Sequence, residues 1–233
     1  KIWLRANLKV YRFLLPYLPY TNRWQQLKMS AKIKLGKQNS TELIKHISEV
    51  ENGLKCDCVC VECSEKLIAI NNKNNKREIH FRHEVETNCK GGVETSLHLL
   101  AKQIVLENSK IKIHEKDYFN YTKSEKETPL ADYQPDVIIE NLENKEKWLI
   151  EIAVTSFVQE NKLEKIKRDN LNCLEIDLKD VDRKIEPDEL TELIINEIKV
   201  RKVLNLKTEQ LSEKDTKDHK ENDNSLLFLF LSI

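Results

Sequence analysis

Glycine and proline are scarce, four and five in 233 residues, which excludes collagen-like chains and suggests well-formed elements with few breaks. A run of about 18 to 20 apolar residues is missing too, so no membrane-spanning helix is expected. The ordered n-region, h-region and small-residue cleavage site of a secretory leader is absent, which predicts a cytoplasmic, reducing setting. Six cysteines in that setting point to metal or chemistry before disulfides. Net charge is also lacking. Thirty-nine basic and thirty-nine acidic residues cancel at a pI near 7.1, so bulk charge announces no nucleic-acid or acidic-lipid partner.

What is present is unevenly spread. Residues 1–28 hold Lys1, Arg5, Lys9, Arg12, Arg23 and Lys28 with no acid, and interleave them with Trp3, Tyr11, Phe13, Tyr17, Tyr20 and Trp24. Such a stretch is either a basic aromatic arm or a non-native leader, and the second is preferred because Met29, the single methionine, opens a segment of ordinary composition. Setting those residues aside leaves 33 basic against 39 acidic groups. Any DNA binding must then come from a local groove and a bound ion rather than a coat of charge.

The organisation expected is a β-ribbon and cysteine-rich knuckle over 29–91, a core over 92–206 and a disordered tail over 207–233. Short alternating pieces from Ala31 to Val50 read as the ribbon, and Asn71–Lys76 as a turn. Leu97, Leu100, Ala101, Ile104 and Val105 recur at helical spacing from Val93 onward. Strand-like pieces follow at IKIHE, YFNYT, DVIIE and KWLIEIAVT, then a charged helix over 159–170, a strand in NCLEIDL, and a last amphipathic helix over 188–206. The run after it has almost no apolar residue, and the closing SLLFLFLSI is too short to span a bilayer.

Two clusters carry chemistry. The first is C-x-C-x-C-x2-C, then HFRH, then Cys89. Two thiolates two residues apart hold a zinc ion from a tight knuckle, and a second pair must come from elsewhere. Cys60 with Cys63 forms the first pair and His83 with Cys89 the second, giving a closed structural Cys3His site for Zn²⁺. Cys58 is the substitute ligand, His80 a polar neighbour and Cys173 a core residue.

The second cluster is acidic. Asp136 follows Pro135 at the start of an apolar strand, and Glu151 sits in the middle of WLIEIAVT. Alternation places Trp148, Ile150, Ile152 and Val154 on one face and Leu149, Glu151, Ala153 and Thr155 on the other. A carboxylate at the centre of such a strand is costly unless paired, protonated or metal-bound, and two on neighbouring strands make a hard-oxygen site for Mg²⁺ or Mn²⁺. On the preceding helix, Glu94 falls about 60° from the centre of the buried face, His98 about 100° and Lys102 about 140°, so the three rise along one flank.

Helix with Glu, strand with Pro-Asp, strand with Glu, helix, strand is the order of the PD-(D/E)XK nuclease core. More closely, KCDCVCVEC, HFRH with Cys89, ETSLHLLAK, QPDVI, LIEIAVT and CLEIDL resemble the motifs of the competence protein CoiA-like nuclease family, over roughly residues 30 to 180. The resemblance implies an α/β, restriction-endonuclease-like core with a small N-terminal zinc-knuckle lobe, acting on DNA. It makes Asp136 and Glu151 the metal-binding acids and Glu94 a further acid of the shell. It also exposes a departure. The superfamily's lysine stands two residues after the second acid, where this chain has Ala153. Lys162, Lys165 and Lys102 are the candidates to replace it, with Lys162 favoured because a helix leaving the Glu151 strand packs back over it. His98 is expected to touch phosphate or orient Glu94. Rival expectations are a binding module that has lost cleavage, and a protein-interaction adaptor built on the zinc lobe.

Overall fold

The computed structural model describes residues 32–72, 78–89, 92–130 and 132–208. The aromatic leader, most of the expected Asn71–Lys76 turn and the tail beyond Thr208 lie outside the described residues. The chain is mixed α/β. Five strands, β1 (Leu35–Gln38), β2 (Ile44–His46), β3 (Gly53–Val59), β4 (Lys66–Ile70) and β5 (His80–His83), form an antiparallel sheet in the order β2-β1-β3-β4-β5. Alternation in β3 turns Cys56 and Cys58 inward against Leu67, Ala69 and Phe81, as the period of a half-buried strand requires.

Helix α1 spans Val93–Glu107. It starts at Gly92, whose φ of 52° is left-handed and where a Cβ would stand 2.9 Å from the Glu62 Cβ. Only glycine meets both demands without strain. At the other end the Asn108 amide donates to the Ile104 carbonyl at 2.7 Å, satisfying an orphan acceptor of the last turn. Leu97, Leu100, Ala101, Ile104 and Val105 are all buried, each such burial stabilising by roughly 1.5–3 kcal/mol for the larger side chains. The first sheet is tied to this helix. Ile44 shares its apolar cluster, and the Ile44 N–H donates to the Gln103 Oε1 at 2.8 Å.

A hairpin of β6 (Lys110–Lys112) and β7 (Tyr118–Asn120) leads into the second sheet: β8 (Lys123–Lys126), β9 (Val137–Glu140), β10 (Lys147–Ala153), β11 (Asn172–Asp177) and β12 (Arg201–Asn205), in the order β12-β11-β10-β9-β8. All neighbours are antiparallel except β10 and β11, which run parallel with Glu151 opposite Glu175. The crossover between those two carries α2 (Glu160–Arg168), and α3 (Pro187–Ile195) follows β11. One face of the sheet (Val137, Ile139, Trp148, Ile150, Ile152, Leu174, Ile176) packs with α1 and α3. The opposite face (Ile138, Leu149, Cys173) packs with Ile166 of α2. Cys173 is thus a core residue.

Two expectations are corrected and one strand was not foreseen. The helix foreseen over 188–206 ends at Ile195; a 3₁₀ turn over Ile198–Val200 and strand β12 replace its second half. Val200 and Val203 pack against the core cluster, and the open edge of β11 offers the ladder that a helix there would leave unpaired. Strand β8 reads Lys-Ser-Glu-Lys, an edge sequence with no apolar alternation to reveal it. The beginning of the supposed tail is tied down: the Lys207 and Thr208 N–H groups donate to the Asn172 and Asn170 side chains, at 2.8 and 2.9 Å.

Candidate functional site

Two clusters stand out. In the first, the ligand atoms of Cys60, Cys63, His83 and Cys89 lie within 4.8 Å of one another. Cys60 Sγ is 3.7 Å from Cys89 Sγ, and Cys63 Sγ is 3.4 Å from His83 Nε2. Tetrahedral zinc with Zn–S near 2.3 Å needs sulfurs about 3.8 Å apart, so the four donors fit the ion. The turn after β3, the end of β5 and the segment leading to α1 bring them together. Cys58 stays out of the cluster. Its Sγ donates to the Cys56 carbonyl at 3.1 Å, and burial pushes its thiol up to about 12. His80 also points elsewhere, with Nδ1 on the Glu78 carbonyl.

The second cluster lies at one end of the second sheet. Antiparallel register pairs Ile150 with Val137, so the next step along both strands sets Glu151 opposite Asp136. Asp136 is densely held. Oδ2 accepts from the Ile152 N–H at 2.8 Å and from His98 Nε2 at 3.0 Å, and Oδ1 pairs with Lys102 Nζ at 2.8 Å. A carboxylate here only accepts, so the proton of His98 sits on Nε2. Burial opposes the charge on Asp136, but the bonds from His98, Lys102 and Ile152 outweigh it and hold the carboxyl well below its ordinary range.

Glu151 has the opposite balance. It is 5% exposed, and burial pushes its carboxyl up to about 7 despite the opposing pull of Lys162, with the Asp136 charge adding to the rise. Lys162 Nζ donates to Glu151 Oε2 at 2.8 Å and to the Gln134 carbonyl at 2.7 Å. Glu151 Oε1 has that ammonium 2.6 Å away as an ion contact but receives no directed hydrogen bond. Adjacent carboxyls whose environments push them apart in this way are the pattern of acid–base and metal sites.

A cavity of about 320 Å³ opens over the pair, lined among others by His98, Asp136, Glu151, Phe157, Lys162 and Glu175. Two of these the sequence reasoning passed over. Glu175 lay inside the strand read from NCLEIDL, and alternation puts it on the Glu151 face. Phe157 stands 46% exposed at the rim with the Lys179 ammonium 4.1 Å over its ring; a lone aromatic in a loop gave no sequence signal.

Other expectations fall elsewhere. Glu94 lies outside the lining, exposed, with its carboxylate held by Arg183 at 3.0 Å, and His98 orients Asp136 instead of Glu94. Lys102, a candidate to replace the missing lysine, is buried between Asp136 and Glu127 instead of reaching Glu151. Those two acids overcome the burial that disfavours its charge and raise its pKa. Lys165 is drawn away by Asp132, through the carboxylate at 3.2 Å and the carbonyl at 3.0 Å. Thr155 is exposed and outside the cavity lining.

No family model, curated protein or solved structure matches the chain. On its own residues it is a mixed α/β protein with a Cys3His cluster able to hold a metal ion, and none of its described helices is long and apolar enough to cross a membrane.

Proposed function

We propose that the protein is a Mg²⁺- or Mn²⁺-dependent nuclease acting on DNA, of the CoiA-like, PD-(D/E)XK type, with a structural zinc ion in its N-terminal lobe. The observation that carries the reading is the opposed pair Asp136 and Glu151 at the mouth of an open cavity, with Lys162 on the second acid. The sequence of α1, β8, β9, β10, α2 and β11, with the acids on β10 and just before β9, is the order such a core uses.

Asp136 and Glu151 would hold the ion, which when bound would polarise the attacking water and offset charge on the scissile phosphodiester. His98 and Lys102 fix the Asp136 carboxylate from two sides; Oδ2 already accepts two bonds, so Oδ1, which has one, is the oxygen that would meet the ion. Lys162 contributes the cation missing at Ala153. Anchored by the Gln134 carbonyl, its ammonium reaches Glu151 from α2 and stands beside the space for the attacking water. Phe157 offers an exposed ring on which a base can stack at the rim.

The binding-only alternative drew its support from the empty lysine position. Lys162 on the same carboxylate favours the catalytic reading. Asp136→Ala and Glu151→Ala should each abolish Mg²⁺-dependent cleavage of plasmid, linear duplex and single-stranded DNA while zinc content stays at one per chain. Salt-dependent DNA binding without nicking under any divalent ion would establish the binding module instead, and absence of both would leave the adaptor.

A further inference from the structure

Glu175 is a buried acid for which the mechanism above has no use. It lies in the middle of β11, 1% exposed, directly opposite Glu151 in the parallel register, and it lines the same cavity. Its one bond is to a neutral donor: the Val158 N–H gives to Oε2 at 2.8 Å. No cation among the described residues makes an ion pair with it: Lys202, its register partner on β12, is exposed and forms none, and Lys162 is committed to Glu151 and Gln134. Two carboxylates side by side on one wall of the cavity, with an ammonium bound to only one of them, repel one another when both are charged. A buried carboxylate without a counter-ion is costly unless it is protonated or holds a metal ion.

A divalent cation removes that cost. The Val158 N–H fixes one oxygen of Glu175, and Oε1 takes no hydrogen bond from any described residue. Glu151 Oε1 is likewise without a directed bond although buried. We propose that Glu175 is a third carboxylate of the cation site, holding the ion together with Glu151 and Asp136 and taking the place that Glu94, bound to Arg183, leaves vacant. The proposal rests on the reading of the cavity as a nuclease site, but its test separates the two.

Glu175→Gln keeps an oxygen for the Val158 N–H and removes only the charge. In the zinc-loaded full chain, Mn²⁺ affinity measured by electron paramagnetic resonance should fall at least tenfold, with zinc content and melting temperature not reduced. An affinity within twofold of the parent overturns the proposal. A measurement that needs no variant accompanies it: the ¹³C carboxyl resonance of Glu175 in the unaltered protein should move on Mg²⁺ titration, and a resonance that stays put overturns the proposal even where the variant fails to fold. Mn²⁺ binding that depends on Glu175 in a protein that cleaves no DNA upholds the site and rejects the nuclease. Cleavage that depends on Asp136 and Glu151, with Mn²⁺ binding indifferent to Glu175, does the reverse.

Discussion

Glu151→Gln should stabilise the protein in the absence of Mg²⁺, and by an amount that grows with pH. The Glu151 carboxyl titrates near 4.5 in an unfolded chain and is pushed up to about 7 by burial in the fold. Between those values the native state holds a proton that the unfolded state has released. Stability is therefore fully present below 4.5 and is lost as pH rises through about 7, at ~1.4 kcal/mol per pH unit and on the order of 3 kcal/mol in all. Glutamine has nearly the same shape, still accepts the Lys162 N–H, and carries no charge at any pH. Asp136 stays ionised throughout this window, so subtracting one protein from the other isolates Glu151. Urea unfolding followed by far-ultraviolet circular dichroism from pH 5 to 8, with zinc retained and no other divalent ion, should show the two converging near pH 5. By pH 8 the variant should lead by about 2 to 3 kcal/mol. A difference flat to within about 0.5 kcal/mol across the range, or one of opposite sign, would refute the claim that the Glu151 charge is held at a cost.

Other consequences can be measured directly. Lys162→Ala should lower the cleavage rate roughly 10²- to 10³-fold, while Lys165→Ala, which removes only an ion pair with Asp132, should stay within about threefold of the parent; equal losses in single-turnover kinetics would remove Lys162 from its role. Stripping zinc, or replacing Cys60 by Ser, should unfold the first sheet, seen as lost amide protection over β3 to β5 while β10 and β11 keep theirs. Gly92→Ala should cost about 1 to 3 kcal/mol, because a methyl group there meets Glu62 and the backbone is left-handed; an unchanged thermal midpoint would contradict that.

The parts of this site legible in the sequence were those written in short-range pattern. Cys60, Cys63, His83 and Cys89 came from spacing within some thirty residues, and the faces of β10 from strict alternation. Lys162 followed from a helix having to return over the strand it leaves. What escaped depended on partners far along the chain. Glu94 has a helical angle that permits it to face inward, yet Arg183, 89 residues away, takes its carboxylate. Lys102 lies far enough round α1 to look solvated, and it is the acids at 127 and 136 that draw it inside. Strand β12 could not be told from a helical continuation of α3 because the open edge of β11, which recruits it, is a property of the assembled sheet. Glu175 is different: the alternation that would have flagged it was available, and the apolar run around it disguised a carboxylate as core.

The single parallel pairing in the second sheet also dictates when the site comes into being. Hairpins such as β8–β9 and β9–β10 close over short loops, but β11 can reach β10 only after the chain has travelled through residues 154–171 and laid down α2. Contacts between distant segments form late because closure entropy precedes any reward. His98, Asp136, Glu151, Lys162 and Glu175 are contributed by five separate stretches, and the last two arrive with the crossover and its returning strand. A partly made chain would carry Asp136 and Glu151 side by side with neither Lys162 nor Glu175 beside them. The candidate site is therefore complete only once β11 has docked on β10, and its last two side chains are contributed by the segment that makes the crossover.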